Sequence, residues 1–488
     1  MCVVCDFEAR PPRSFDCIHA DGGTSNGNSS QTADTSISLN SAPLSEPELQ
    51  DRIDTLLQAD DFGLSTWDNG QPVTFTYGFD TVQPGNFLWQ SDEPTGFVAF
   101  TEAQKDAIRA ALAEYSHFFN ITFVEDNVAA QTDMSFFRAN DLYADTPNSG
   151  GGGRGRWRYD WNGSEYYWTG QAAFNSNRDI ARASDFDLIL HEIGHMLGLK
   201  HPGNYDVGGN NPPGPFLPAN EDNDRYTLMS YNVDPVSGVE ANHLMLYDIA
   251  ALQQFWGANM STATGNDSYS GPVSGPRQVI WDAAGTDELR YSGSSGVTID
   301  LRPGFFSSIG AVDNLAIAYG AEIENGFGGN GNDSITGNDL NNFLGGNGGT
   351  DTLLGLAGND TLEGGGGNDM LDGGADHDTA VFSGSFSSHT FFLNITNQLE
   401  VNAAANGEGT DTLTSIEVLQ FSDRTMGLVT GTGAAETLIG SALDDLFFGG
   451  GEADYLLDTA GGDDVLFGGE GNDQLQGSAG ADQNFGGG

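Results

Sequence analysis

A strict nine-residue repeat in the second half of this 488-residue chain limits the folds that are open to it. Every ninth position is acidic or an amide, glycines precede it, and an apolar or small residue follows two positions later. The repeated positions of the first array are Asp333, Asn342, Asp351, Asp360, Asp369 and Asp378, and the following core positions are Ile335, Leu344, Leu353, Leu362, Leu371 and Ala380. A second array repeats the pattern, with one inserted residue, at Glu436, Asp445, Asp454, Asp464, Asp473 and Asp482.

This period predicts a parallel β-roll, because a glycine-rich linker has no reason to keep apolar residues at one phase. We expect each glycine-rich half to form a turn and each apolar half to form a short core strand. Carboxylates of neighbouring turns would share hard cations that prefer oxygen ligands, and Ca²⁺ fits that demand. Several calcium ions are therefore predicted, with weaker binding at the turns of Asn342 and Glu436.

The acidic composition excludes some classes of partner. The formal net charge is −52, and such a surface repels nucleic acid and anionic membranes. No apolar run is long enough to span a membrane. Without calcium the stacked carboxylates repel one another, which predicts an array that is unfolded in a low-calcium cytoplasm and folded outside the cell.

A histidine motif in the first half predicts a metal site. The segment His191-Glu192-Ile193-Gly194-His195 is followed by Gly198 and His201. Two histidines four residues apart leave the same helix face and can hold one ion, while Glu192 can reach a water on that ion. Gly198 can end the helix and bring His201 back as the third ligand. Three nitrogens leave an open coordination position, as in catalytic zinc sites.

A methionine downstream completes this pattern. The histidine spacing followed by a Met-turn is the metzincin pattern, and Met229 within residues 226–231 is the candidate for that turn, as an apolar floor beneath one catalytic zinc. Zinc would lower the pKa of its water towards ~7 and polarise a peptide carbonyl. Glu192 would take the water's proton and pass it to the leaving amine. Hydrolysis of internal peptide bonds is the predicted reaction.

The rest of the first half predicts an α/β arrangement. Capping boxes at Ser45 and Thr101 begin helices, and alternating residues 73–79 predict a strand. The helix of the histidine motif is predicted over 186–197, with Ser184 as its N-cap. Glycine-rich residues 148–155 are expected to be a flexible loop, and an exposed strand at 134–138 is expected to hold substrate in extended form.

The polar segment 1–44 predicts a disordered leader or pro-segment. All three cysteines (Cys2, Cys5 and Cys17) lie in it, so the remaining chain has no disulfides. One alternative is that a leader cysteine caps the active-site zinc, and the other is that these thiols are idle. The predicted domains are this leader, a zinc protease domain at 45–258 and a repeat domain at 259–488.

Several segments resemble the serralysin family of bacterial metalloproteases. They are His201-Pro202-Gly203, Met229-Ser230-Tyr231 and residues 247–253, 256–259, 280–282, 299–304 and 317–320. The resemblance covers roughly residues 45 to 480. It implies an α/β (α+β) metzincin domain followed by an all-β domain, a parallel β-roll/β-sandwich that binds calcium. It also implies that Tyr231 is a displaceable zinc ligand that later stabilises the tetrahedral intermediate.

The resemblance further implies a monomer that acts on proteins and peptides after export by a one-step transporter that reads a C-terminal signal. The N-terminus lacks a basic segment followed by an apolar run, which predicts no cleavable signal peptide. The chain ends at Gly488 within a repeat and without the family's apolar tail, so we expect either a truncated terminus or an atypical signal.

Two other functions are compatible with parts of the sequence. Calcium repeats alone also suit a surface or adhesion protein whose protease domain is inactive. A zinc site alone also suits a hydrolase that acts on something other than peptides. The intact Glu192 favours the active peptidase, because an inactive domain has no need of the base.

Overall fold

The computed structural model divides the chain into two compact units. Among the described residues, one unit consists of those up to 262 together with 276–283, and the other of those within 263–275 and 284–487. The predicted leader with its three cysteines lies outside the described residues. The structure describes residues 44–57, 71–83, 88, 94–126, 132–142, 152–161, 166–203, 214–238, 241–271, 275–394, 396, 398–403 and 407–487.

Helices and strands alternate in the first unit, as the sequence predicted. The helices are α1 (Glu46–Leu56), α2 (Glu102–Phe118), α3 (Phe186–Met196) and α4 (Leu246–Trp256). The strands are β1 (Val73–Asp80), β2 (Thr95–Val98), β3 (Ile121–Glu125), β4 (Met134–Asp141), β5 (Gly153–Trp161) and β6 (Tyr166–Asn175). They form a sheet in the order β3-β1-β4-β6-β5, with β2 also beside β4. Strands β2 and β5 are antiparallel to their neighbours and the other pairs are parallel.

Both predicted capping boxes are present. Glu48 Oε2 accepts a hydrogen bond from the Ser45 backbone N–H at 2.9 Å, which fixes the start of α1. Gln104 Oε1 accepts one from the Thr101 N–H at 3.1 Å, and the Thr101 hydroxyl accepts one in return. No helix within the described ranges is long and apolar enough to cross a membrane.

The prediction that residues 134–138 form an exposed substrate-binding strand is wrong. Strand β4 pairs with β1 on one side, and with β6 and β2 elsewhere, and residues 134–139 are buried. Its backbone hydrogen bonds are therefore already used inside the sheet. The edge strand on the β6 side of β4 is β5.

The prediction of a flexible loop at 148–155 is wrong for residues 153–155, which begin β5. A side chain at Gly155 would lie 2.8 Å from His195 Cβ and would also meet the Glu192 carbonyl oxygen. A side chain at Gly153 would lie 2.7 Å from Glu192 Cγ. These glycines allow β5 to pack closely against α3, and residues 148–151 lie outside the described residues.

The second unit consists of short strands. They are β7 (Ser268–Ser270), β9 (Glu288–Arg290), β10 (Thr298–Asp300), β11 (Phe306–Ser307), β12 (Leu315–Ile317), β13 (Asn325–Phe327), β14 (Ser334–Thr336), β15 (Phe343–Gly345), β16 (Thr352–Ala357), β17 (Thr361–Glu363), β18 (Met370–Ala375), β19 (Thr379–Val381), β20 (Thr390–Leu393), β21 (Leu399–Asn402), β22 (Thr410–Thr414), β23 (Val418–Gln420), β24 (Thr425–Thr430), β25 (Thr437–Ile439), β26 (Asp444–Phe448), β27 (Tyr455–Leu457), β28 (Val465–Phe467), β29 (Gln474–Gln476) and β30 (Gln483–Phe485). A further strand, β8 (Gln278–Ile280), belongs to the first unit.

Successive repeats alternate between two parallel sheets. In one sheet Ile335 aligns with Leu353, and Leu353 with Leu371. In the other, Leu344 aligns with Leu362, and Leu362 with Ala380. Two nine-residue repeats thus make one full turn of the chain. All six of these side chains are fully buried between the sheets, which is the core of a parallel β-roll.

Leu371→Ala tests this core. Removing a fully buried leucine leaves a cavity, so we expect a loss of about 2–5 kcal/mol in the free energy of unfolding. The neighbouring Met370 is 50% exposed, and Met370→Ala should change stability by less than about 0.5 kcal/mol. Denaturant unfolding in saturating calcium measures both, and equal effects of the two substitutions would contradict the β-roll core.

Candidate metal centre

Helix α3, which carries the histidine motif, begins after a short 3₁₀ turn and ends at two tryptophan side chains. It begins after a 3₁₀ turn, Ala183–Asp185, so its N-cap is Asp185 and the prediction of Ser184 is wrong by one residue. At its other end Trp168 Nε1 donates to the Met196 carbonyl at 2.8 Å, and Trp256 Nε1 donates to the Leu197 carbonyl at 3.0 Å. Two indoles therefore satisfy carbonyls that the helix leaves unpaired.

The chain reverses direction directly after α3. Gly198 has a φ of 109°, in the region that favours glycine. The Leu199 N–H donates to the Gly194 carbonyl at 2.9 Å, and the Lys200 N–H donates to the Leu56 carbonyl at 2.9 Å. The turn is thereby tied both to α3 and to the end of α1, and it delivers His201 to the face that carries His191 and His195.

The three predicted histidines converge. Their ligand nitrogens lie within 4.8 Å of one another, and His201 Nε2 is 3.1 Å from the Nε2 atoms of both His191 and His195. A tetrahedral ion with Zn–N bonds of 2.0–2.1 Å needs nitrogens about 3.3 Å apart. The three imidazoles therefore fit one zinc ion.

Backbone carbonyls orient two of these rings. His191 Nδ1 lies 3.0 Å from the Leu228 carbonyl oxygen, and His195 Nδ1 lies 2.8 Å from the Leu199 carbonyl oxygen. A carbonyl only accepts, so Nδ1 must carry the proton in each ring. The lone pair is then on Nε2, the nitrogen that faces the cluster, which is the tautomer that metal binding requires.

Met229 packs below the histidine helix, at the place where a Met-turn is predicted. Its side chain is fully buried, and a Cβ at Gly194 would lie 3.0 Å from its sulfur and 3.2 Å from Tyr115 Oη. Glycine at position 194 thus lets the methionine approach the helix. The Tyr231 ring lies 4.6 Å from the His201 ring, measured between centroids, so it is within reach of the cluster.

Glu192 is fully buried between α3 and β5. It follows His191 directly along the helix, so its side chain leaves α3 on a different side from the two histidines. Gly153 of β5 packs against its Cγ atom. The helix and the glycine strand together bury this carboxylate away from bulk water.

The sequence motifs did not identify Asp248 as part of this site. Its Oδ1 accepts from the Thr227 hydroxyl at 2.6 Å, and its Oδ2 accepts from the backbone N–H groups of Leu228 and Met245 at 2.7 and 3.0 Å. Burial raises the pKa of Asp248 to about 6. Asp248 fixes Leu228, whose carbonyl orients His191. No local spacing rule links residue 248 to residue 228, and a contact of this range is invisible in one sequence.

The carboxylates of the first array form ladders along the β-roll. Asp351 Oδ1 accepts from the Asp333 N–H at 2.7 Å, and Asp369 Oδ1 accepts from the Asp351 N–H at 2.8 Å. Asp378 Oδ1 accepts from the Asp360 N–H at 2.8 Å on the other side. Each acidic side chain thus points back at the turn that precedes it by 18 residues.

The second carboxylate oxygen of many repeats is buried without a hydrogen-bond partner. This holds, among the described residues, for Oδ2 of Asp351, Asp360, Asp369, Asp378, Asp454, Asp464 and Asp473. Burial is the main cause that raises the pKa of Asp360 to about 7, and the charge of Asp378 adds to it. A buried carboxylate oxygen without a hydrogen-bond partner is costly, and a bound cation would offset that cost, so this donor set fits Ca²⁺.

The predicted calcium residues do not share one environment. Asp333, Asn342, Asp351, Asp360, Asp369, Asp378, Asp445, Asp454 and Asp464 are buried, whereas Asp473 and Asp482 are half-buried. The Asn342 carboxamide is already occupied. Its Nδ2 donates to the Glu324 carbonyl and its Oδ1 accepts from the Asn338 N–H. The Glu436 carboxylate is likewise engaged by the N–H and hydroxyl of Thr432.

These features define a class of metalloprotein in which an α/β unit carries a histidine cluster and a parallel β-roll carries carboxylate ladders. Residues 259–483 match the family described as Peptidase M10 serralysin C terminal. The chain is 34% identical to serralysin of Proteus mirabilis over 319 residues, which is 57% of this chain and 63% of that protein.

Two further relatives agree. Serralysin G of Dickeya chrysanthemi is 34% identical over 308 residues, which is 57% of this chain and 62% of that protein. Metallopeptidase AprA of Pseudomonas marginalis is 30% identical over 322 residues, which is 60% of this chain and 66% of that protein. The chain thus spans less than two thirds of the length of these curated relatives, and these similarities confirm the resemblance to the serralysin family that its motifs predicted.

Asp248→Asn tests the support of the metal site. The amide keeps the size of the side chain but replaces one acceptor oxygen by an NH₂ donor, so it can no longer accept from the Thr227 hydroxyl and both backbone N–H groups as the two carboxylate oxygens do. Misplacement of Leu228 should weaken zinc binding by about 10- to 100-fold, the usual cost of losing an outer partner of a metal ligand. Competition with a chelator of known affinity measures this change.

Asp106→Asn is the matched control, because Asp106 is 70% exposed on α2. It should bind zinc as the unaltered protein does. Wild-type zinc affinity in Asp248→Asn would show that this carboxylate does not position the site.

Proposed function

We propose that this chain is a secreted zinc endopeptidase that hydrolyses internal peptide bonds of proteins, and that calcium ions stabilise its β-roll unit. The observation that carries the proposal is the convergence of the three imidazole Nε2 atoms, with the buried Glu192 directly after His191 on α3. Similarity to serralysins supports the same reaction.

His191, His195 and His201 would hold one zinc ion, and Tyr231 would be a fourth, displaceable ligand. When bound, zinc supplies polarisation of the scissile carbonyl and a lowered pKa for a coordinated water, towards ~7. The carbonyl partners of His191 and His195 keep both rings in the binding tautomer. The ring of Tyr231 packs against that of His201, so its hydroxyl has a short path to and from the cluster.

Glu192 is the general base in this proposal. Its carboxylate would take a proton from the attacking water and pass it to the nitrogen of the leaving amine, which general catalysis of this kind accelerates by about 10²–10⁴-fold. The burial of Glu192 keeps competing water away from that transfer. Tyr231 would donate its hydroxyl proton in a hydrogen bond to the oxyanion that develops on the carbonyl.

Strand β5 is the best candidate for holding an extended substrate. It pairs with β6 along Gly153–Trp161, and no strand within the described residues pairs with its other edge. Gly153 and Gly155 place this strand directly against Glu192 and His195. A peptide that adds to this edge would be bound through its backbone, and this favours peptides over non-peptide substrates.

The calcium array supports the location proposed for the chain, whereas its assembly is what the family resemblance implies. The buried carboxylates disfavour folding where calcium is scarce, so the β-roll is suited to folding after export. We propose export by a one-step transporter and action as a monomer outside the cell. A surface protein with an inactive protease unit is the alternative from another class, and the base substitution below separates the two.

Glu192→Gln should abolish catalysis without emptying the site. We expect the rate of casein hydrolysis to fall by about 10²- to 10⁴-fold because the base is lost, while zinc content stays near one ion per chain. Initial rates and metal analysis on the same sample give both numbers.

Glu102→Gln makes the same chemical change at a position that is 72% exposed on α2, and it should retain full activity. An unaltered protein that carries zinc but cleaves no protein or peptide substrate would favour the adhesion alternative. Full activity of Glu192→Gln would remove Glu192 from the mechanism.

Selective removal of calcium should unfold the β-roll. We expect a calcium chelator to abolish its strand signal in circular dichroism, since buried carboxylates repel one another without a cation. Each site loses about 2.7 kcal/mol of stabilisation when calcium falls from 100 times its Kd to zero. Added calcium should restore the signal, and a chelator-resistant spectrum and melting temperature would contradict the proposed role of calcium.

A further inference from the structure

Residues 407–413 have the features of a repeat turn, although they lie outside the nine-residue count. Gly407, Gly409 and Asp411 follow the alternating spacing of the glycine-rich half of a repeat, and Leu413 comes two residues after Asp411. This segment follows the turn of Asp369 by 42 residues instead of 18. The intervening residues form the antiparallel strands β20 and β21.

The backbone of this segment occupies the next step of the array. Asp411 Oδ1 accepts from the Asp369 N–H at 2.9 Å, just as Asp369 Oδ1 accepts from the Asp351 N–H at 2.8 Å. Leu413 aligns with Leu371 between β22 and β18, continuing the row of core leucines. The ladder of carboxylates therefore runs on across the insertion.

Two further contacts repeat those of a regular turn. The Thr410 N–H donates to Asn368 Oδ1 at 2.9 Å, and the Thr350 N–H donates to Asn332 Oδ1 at 3.0 Å in the regular array. Gly409 has a φ of 81°, and a Cβ there would meet the Gly367 carbonyl oxygen. Regular glycines of the array, such as Gly367, have the same close approach to the turn before them.

A cavity of about 280 Å³ lies between this turn and the preceding one. The polar side chains in its lining are those of Glu363, Ser383, Glu408 and Asp411, and Gly365, Gly366 and Gly407 also line it. Asp369 is 2% exposed, and its Oδ2 is among the buried carboxylate oxygens without a hydrogen-bond partner.

Glu408 has a different task from Asp411. Its Oε1 accepts from the Ser383 N–H at 2.7 Å, and its Oε2 lies 2.9 Å from His389 Nε2. His389 and Ser383 belong to the inserted segment, so Glu408 fastens the insertion to the turn. Asp411 is left as the carboxylate that corresponds to the repeated aspartates.

We propose that the turn at residues 407–411 and the turn at residues 364–369 bind an additional calcium ion, with Asp411 as a carboxylate ligand. This inference rests on the proposed role of calcium in the regular array. The insertion at 383–403 then loops out of the β-roll without ending its series of calcium sites.

Calcium counts on the folded full-length chain test the proposal. Native mass spectrometry resolves the number of calcium ions on the folded population and separates it from any unfolded chains. We compare the unaltered protein with Asp411→Asn, with Asp360→Asn at a regular position, and with Asp339→Asn, an exposed aspartate of the same array. Each substitution removes one carboxylate charge.

The expected result is a loss of at least one calcium ion from both Asp411→Asn and Asp360→Asn, with the full count in Asp339→Asn. A full count in Asp411→Asn, together with a loss in Asp360→Asn, would overturn the inference and leave the calcium role of the array intact. An unaltered protein without calcium would overturn both.

Discussion

The convergence of His191, His195 and His201 depends on hydrogen bonds to the Nδ1 atoms of His191 and His195, which are the nitrogens that do not face the cluster. The carbonyls of Leu228 and Leu199 hold two rings, and each carbonyl is itself held in place, by Asp248 in one case and by the turn at Gly198 in the other. Without that support the three nitrogens would repel through their lone pairs and scatter. The metal site is therefore a property of the whole α/β unit, although the motif that reveals it spans eleven residues.

The β-roll likewise holds groups that repel one another, its carboxylates, close together. Its apolar core residues are fully buried on a nine-residue period, and this brings acidic side chains together that would repel in the absence of cations. In the proposed function, hydrophobic packing and cation binding are coupled, because the core strands position the carboxylates that would bind the cations. This coupling would let a chain with a net charge of −52 form a compact unit.

The sequence predicted those parts of the structure that depend on local spacing. The helix of the histidines, the third histidine after Gly198 and the alternation of the repeats all follow from contacts within about twenty residues. Asp248, the packing of Gly155 on α3 and the turn at Asp411 depend on contacts between distant segments. A glycine-rich segment can indicate either a flexible loop or a strand that packs closely against a neighbour. For residues 153–155 only the contact with Glu192, which the sequence does not reveal, distinguishes the two. The period failed at Asp411 because two inserted strands change the spacing while the register of the sheet is kept.

X-ray absorption spectroscopy of the zinc-loaded protein tests the central claim most directly, because it reports the ligands of the metal without reference to activity. The account predicts a first shell of three imidazole nitrogens at about 2.0–2.1 Å with additional oxygen. A shell dominated by sulfur at about 2.3 Å, or one with fewer than three imidazoles, would contradict it.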